Sequence, residues 1–181
     1  MSLRGRTAIA GLGITEQGKV YDRNAVGFAA EAVRLALDDA GMSRADLDGL
    51  LVNPGLAWGD MGMASFQLQQ AMGLRDLRLS SSMNSGGATA GTMIQVAAQA
   101  IATGLCQAVA CVFADAPLKP PRPTGAARGN GGSAGAYGFG RGLDAAYGQF
   151  GVNAMYALVA QRHDVHPETV QPREHRGVPR R

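Results

Sequence analysis

The chain has 181 residues, 46% of them hydrophobic and 17% charged, with a formal charge of +3. One domain with a substantial core is the natural expectation at this length and composition. The basic excess gathers at the end, where five arginines between Arg162 and Arg181 face only Asp164, Glu168 and Glu174. No basic patch interleaves with aromatics elsewhere, so the charge describes a solvated end rather than a nucleic-acid surface.

Thr7-Ala8-Ile9-Ala10-Gly11-Leu12-Gly13-Ile14 reads as a buried first strand. Gly11 and Gly13 do not make a dinucleotide fingerprint: Glu16 stands where its third glycine belongs, and the next helix starts only near Asn24. Asn24 caps a helix running to about Ala40, with Val26, Ala29, Ala30, Val33, Leu37 and Ala40 inward and Gly41 as its stop. Ser43-Arg44-Ala45-Asp46 has the form of a short capping box, and Leu50-Leu51-Val52-Asn53 is a second strand stopped by Pro54-Gly55. The loop from Gly55 to Gly62 holds Trp58, Asp60 and Met61, and is read as tacked down by its aromatic rather than as a ligand contact. Ala64 to Met72 is a helix ended by Gly73, and a third strand covers 77–82.

From Leu79 to Ala114 no residue is charged. Within this stretch 87–103 is helical and apolar on most sides, with Thr89, Thr92, Gln95 and Gln99 as one narrow polar stripe. Such a helix is expected to be buried all round, with Asn84 or Ser85 as its cap. A membrane span is excluded because Ser, Asn, Gln and Gly interrupt each apolar run well short of about 18 residues. A fourth strand follows at 106–114, carrying Cys106 and Cys111; their odd separation points them to opposite faces, so they are expected unbridged, buried and structural. The alternation of strands and helices gives an α/β fold, a mixed or parallel sheet with helices on both faces around a buried central helix.

After Asp115 come four prolines, then a glycine-rich run from Gly125 to Gly142 without a phosphate-loop pattern. A helix returns over 150–162 with Val152, Met155, Tyr156, Leu158 and Val159 expected on its buried side. His163, Asp164 and His166 offer no third partner with metal-ligand spacing, so no metal is expected. Residues 163–181, broken by Pro167, Pro172 and Pro179, read as a disordered or unrelated tail. Met1 to Arg6 is short and polar with no apolar region of signal-peptide length behind it, and a cytoplasmic, reduced location is expected.

The run Gly87-Ala88-Thr89-Ala90-Gly91-Thr92 through Ala97-Ala98-Gln99-Ala100-Ile101 resembles the nucleophile helix of the thiolase superfamily, particularly the sterol-carrier-protein type of acetyl-CoA acetyltransferase. Asp46-Leu47-Asp48-Gly49-Leu50-Leu51 and Tyr147-Gly148-Gln149-Phe150-Gly151 before Tyr156-Ala157-Leu158 add to the likeness. The resemblance covers 5–162 and implies the N-terminal half of a thiolase-like layered fold. In register, the family's nucleophilic cysteine falls on Gly87, so the acyl-enzyme of that family is not expected here.

What the resemblance implies is a protein of acyl-CoA and lipid metabolism acting on carbon–carbon bonds, of retro-aldolase type on sterol side-chain acyl-CoAs. Ser85, Gly86 and Gly87 would bind the acyl-CoA carbonyl through backbone N–H groups. Coenzyme A enters as part of the substrate, not as a cofactor. The expected partners are a second copy, a thiolase C-terminal half or a small OB-fold protein, and the chain by itself is expected to be inactive. The alternatives are a non-catalytic thiolase-like subunit and a truncated fragment.

Overall fold

A computed structural model describes residues 3–55, 57, 58, 60–118 and 152–165. The chain divides into two units, Met1–Thr124 and Gly125–Arg181. In the first, α1 (Ala25–Ala40), β1 (Gly49–Pro54), α2 (Ala64–Met72), β2 (Leu79–Ser82), α3 (Thr89–Ala102) and β3 (Val109–Ala114) follow one another. The described part of the second is one helix, α4 (Val152–Val165).

Local chemistry sets the limits of α1 where the sequence placed them. Asn24 Oδ1 accepts the Gly27 N–H at 2.8 Å, a cap worth about 1 kcal/mol. At the other end Gly41 turns to φ 66°, a left-handed angle that glycine adopts without steric cost. The Ser43–Asp46 box also forms, closing a single 3-10 turn: Asp46 Oδ2 accepts the Ser43 N–H at 2.7 Å and its hydroxyl at 2.8 Å. Those two bonds, the backbone one first, hold the Asp46 carboxyl below its ordinary pKa.

The sheet is parallel throughout, ordered β2-β1-β3, with Leu51 opposite Ser81 on one side and Cys111 on the other. Leu50, Leu51 and Val52 of the central strand are all 0% exposed, because both faces of β1 are covered. Leu50 and Val52, with Val112 and Ala114, pack under Phe28, Ala29, Val33 and Leu37 of α1 and Leu68 and Met72 of α2. Leu51 points the other way, into a smaller cluster with Met93 and Ala97 of α3. Helices thus lie on both faces, as expected, although the described sheet is purely parallel rather than mixed.

Several expectations need correction. Residues 7–14 are extended but form no strand. Gly11 and Gly13 lie so close to α1 that a Cβ on either would collide with the carbonyls of Ala36 and Ala32, yet no strand pairs with the segment. The last strand starts at Val109 rather than at 106, since Cys106 and Gln107 belong to the turn out of α3. α3 is not covered on most sides: Thr89, Met93, Ala97 and Ala100 are buried, whereas Ile94 is 50% exposed. One sheet face supplies one contact stripe, and no other element among the described residues covers the remainder. In α4, Met155, Tyr156, Leu158 and Val159 are exposed, so the side expected to be buried is not. Residues 163–165, expected to open a disordered tail, are instead the end of α4, and the expectations for 119–151 and 166–181 lie outside the described residues.

The starts of the three strands meet at Asp48. Its carboxylate accepts the N–H groups of Gln107 (2.9 Å) and Ala108 (3.0 Å) at the lead-in to β3. Its backbone carbonyl accepts from Arg78 (2.8 Å) and Leu79 at the lead-in to β2. Cys106 is buried and its thiol leans on the same carbonyl at 3.6 Å, while Cys111, expected to be buried, is exposed. Replacing Asp48 by Ala removes two charge-assisted acceptors and should lower stability by about 2–3 kcal/mol. Asp48→Asn, which keeps one acceptor oxygen, should lose clearly less. Urea titrations read both as a fall in midpoint at unchanged slope; equal losses would argue against this role of the carboxylate.

Candidate functional site

Because β1, β2 and β3 are parallel, their carboxyl ends share one edge of the sheet, where open α/β folds place their ligands. At that edge the chain leaves β2 and makes the turn that starts α3. Met83 N–H first extends the ladder onto the Val52 carbonyl at 2.8 Å. Ser82 Oγ fastens the same corner to α2, accepting the Ser65 N–H at 3.0 Å and facing Ser65 Oγ at 3.3 Å.

The turn itself is built by Asn84 and Thr89. Asn84 Oδ1 accepts the Gly86 N–H at 3.1 Å. Thr89 Oγ1 accepts the Ser85 N–H at 2.8 Å and donates to the Gly86 carbonyl at 2.7 Å, and Thr89 is 1% exposed. Gly86 takes φ 57°, which opens a 3-10 turn over Gly86–Ala88 ahead of α3. Neither expected residue caps α3: its N-cap is Ala88, the Ser85 side chain makes no cap bond, and Asn84 instead closes the turn ahead of the helix. Thr89 was legible only as part of a polar stripe; its bonds to the turn depend on the tertiary path of the chain.

The three residues expected to bind a carbonyl, Ser85, Gly86 and Gly87, are together and exposed at the N-terminal end of α3. Their amides are not equivalent. Those of Ser85 and Gly86 are engaged by Thr89 and Asn84. The Gly87 N–H has no partner among the described residues. A Cβ at Gly87 would meet nothing within 4 Å, so the position is open as well as unsubstituted. The helix dipole adds partial positive charge there, suited to an oxygen that becomes negative.

From Met83 to Thr89 no side chain titrates near neutrality, so this turn offers a donor but no acid or base. Neither thiol lies at this turn. Cys106 lies before β3, at the opposite edge, and Cys111 lies within β3. Desolvation raises both thiols above the ordinary cysteine range, away from reactivity. The expected tack at Trp58 is present: its indole is buried, and Nε1–H donates to the Ala114 carbonyl at 2.6 Å. Asp115, next along, accepts the Ala57 and Ala116 N–H groups at 2.8 and 2.9 Å, and Gly55 lies flat against its side chain. This carboxylate at the carboxyl edge was not singled out from the sequence. Among the described residues no helix is long and apolar enough to cross a membrane.

No family model matches the chain. Over 109 residues, 60% of its length, it is 36% identical to the "Steroid side-chain-cleaving aldolase" of Thermomonospora curvata, and spans 27% of that protein. Over 107 residues, 59% of its length, it is 37% identical to the "17-hydroxy-3-oxo-4-pregnene-20-carboxyl-CoA lyase" of Mycobacterium tuberculosis, and spans 26% of it. Among solved structures, the "Ltp2-ChsH2(DUF35) aldolase" superposes with a TM-score of 0.66 at 29% identity, over 94% of this chain and 40% of that one. The chain therefore has partial homology to thiolase-like aldolases that cleave steroid side chains, and spans about a quarter of the curated relatives it matches.

The two glycines should respond differently to substitution. Gly86→Ala forces a side chain into the left-handed region and should cost about 1–2 kcal/mol. Gly87→Ala enters open space and should leave the melting temperature within about 1 °C. Thermal unfolding of both variants checks this; a loss at Gly87 as large as at Gly86 would contradict the geometry.

Proposed function

We propose that this chain is the N-terminal part, over 5–162, of a thiolase-like acyl-CoA lyase that cleaves a carbon–carbon bond by a retro-aldol step without a cysteine acyl-enzyme. Two features support the reading together: homology to a steroid side-chain-cleaving aldolase and a steroid carboxyl-CoA lyase, and an N–H at Gly87 with no partner among the described residues and no side chain in front of it. The substrate class is an acyl-CoA with a hydroxyl on its β carbon, the arrangement in the name of the mycobacterial relative.

In that step a base takes the proton from the β-hydroxyl, the bond between the α and β carbons breaks, and the β carbon becomes a ketone. The bonding pair passes to the α carbon and is shared with the thioester oxygen as an enolate. Protonation of the α carbon then releases the shortened acyl-CoA. The Gly87 N–H and the start of α3 would face that oxygen as its charge develops, the interaction such a reaction needs most. Ser85 and Gly86 shape the approach. Acid and base come from outside the described residues, since the turn holds neither.

A second copy and a small partner protein complete the reading. β2 is the outer strand of the sheet and is short and serine-rich; it is placed on a two-fold axis with the same strand of another copy. The name of the solved relative pairs its chain with a second protein, ChsH2(DUF35), and a small OB-fold protein is the corresponding partner here. Residues 166–181, beyond α4, are an unrelated tail in this reading. A non-catalytic subunit is the second reading, favoured by the absence of any titrating group from Met83 to Thr89.

Incubation with labelled acetoacetyl-CoA followed by intact mass measurement should show no acyl adduct, whereas a β-hydroxyacyl-CoA given to the assembled complex should yield a ketone and a shorter acyl-CoA. An adduct on Ser85, Cys106 or Cys111 with thiolysis turnover overturns the proposal; no cleavage by a complex that binds substrate leaves the non-catalytic reading standing. Light scattering should find the chain associated at micromolar concentration, and a stable monomer would count against the two-fold at β2.

A further inference from the structure

We draw no further inference here: the strongest candidate, the exposed apolar patch of Met63 and Phe66 at the start of α2 beside the Ser65–Ser82 corner, is an unpartnered face, and nothing in the structure shows what covers it.

Discussion

The carboxylate of Asp48 fixes where this fold begins. A parallel sheet has no hairpin turns to set its register, so each strand must be brought to its neighbour by a long crossover. Here the crossovers converge on one residue, whose side chain takes the backbone leading into β3 and whose carbonyl takes the backbone leading into β2. The amide of Gly49, the first residue of β1, meanwhile donates to Ala108 at 3.0 Å. With the amino ends pinned, the carboxyl ends carry the loops: the Trp58 tack, the Asp115 turn and the glycine pair before α3.

The glycine pair shows how local bonding chooses among similar groups. Ser85, Gly86 and Gly87 all present amides near the start of a helix, yet Thr89 and Asn84 engage the first two and leave the third. Thr89 can do so because it is buried beneath the turn, where its hydroxyl both accepts and donates. The left-handed angle at Gly86 turns the chain into the 3-10 start of α3. A side chain at 86 would strain that turn, while one at 87 would only fill the space in front of the free amide.

Much of this could be read from the sequence, for reasons that differ by element. The limits of α1 and α2 were legible because caps are local: Asn24, Gly41 and Gly73 act within a few residues of themselves. β1 was legible as an apolar run between Asp48 and Pro54. Residues 7–14 are likewise a largely apolar, uncharged run, but a strand is a relation between segments, and no described residue supplies the other half. The same limit applies to α3, whose apolar circumference says that it is to be covered, not by what. At the site, the glycines were visible as letters, whereas the assignment of their amides required Asn84 and Thr89 in place. Asp115 went unmarked because a single carboxylate after a strand carries no pattern.

Under the proposed reading, glycine in place of the family's nucleophile at position 87 need not remove the electrostatics that would serve it. A thiolate at the head of a helix is favoured by the dipole and by amides without partners, and neither depends on sulfur. With glycine there, the same field acts on whatever acceptor comes close, and the absence of a Cβ lets a ligand oxygen approach the amide itself. A tetrahedral oxyanion and an enolate oxygen make the same demand on such a donor, since each gathers charge that the ground-state carbonyl lacks. Cleavage that proceeds through an enolate requires no covalent bond to the protein, only a donor on the oxygen and a proton carrier at the hydroxyl. The turn before α3 offers the first of these, and under the proposed reading the second comes from outside the described residues.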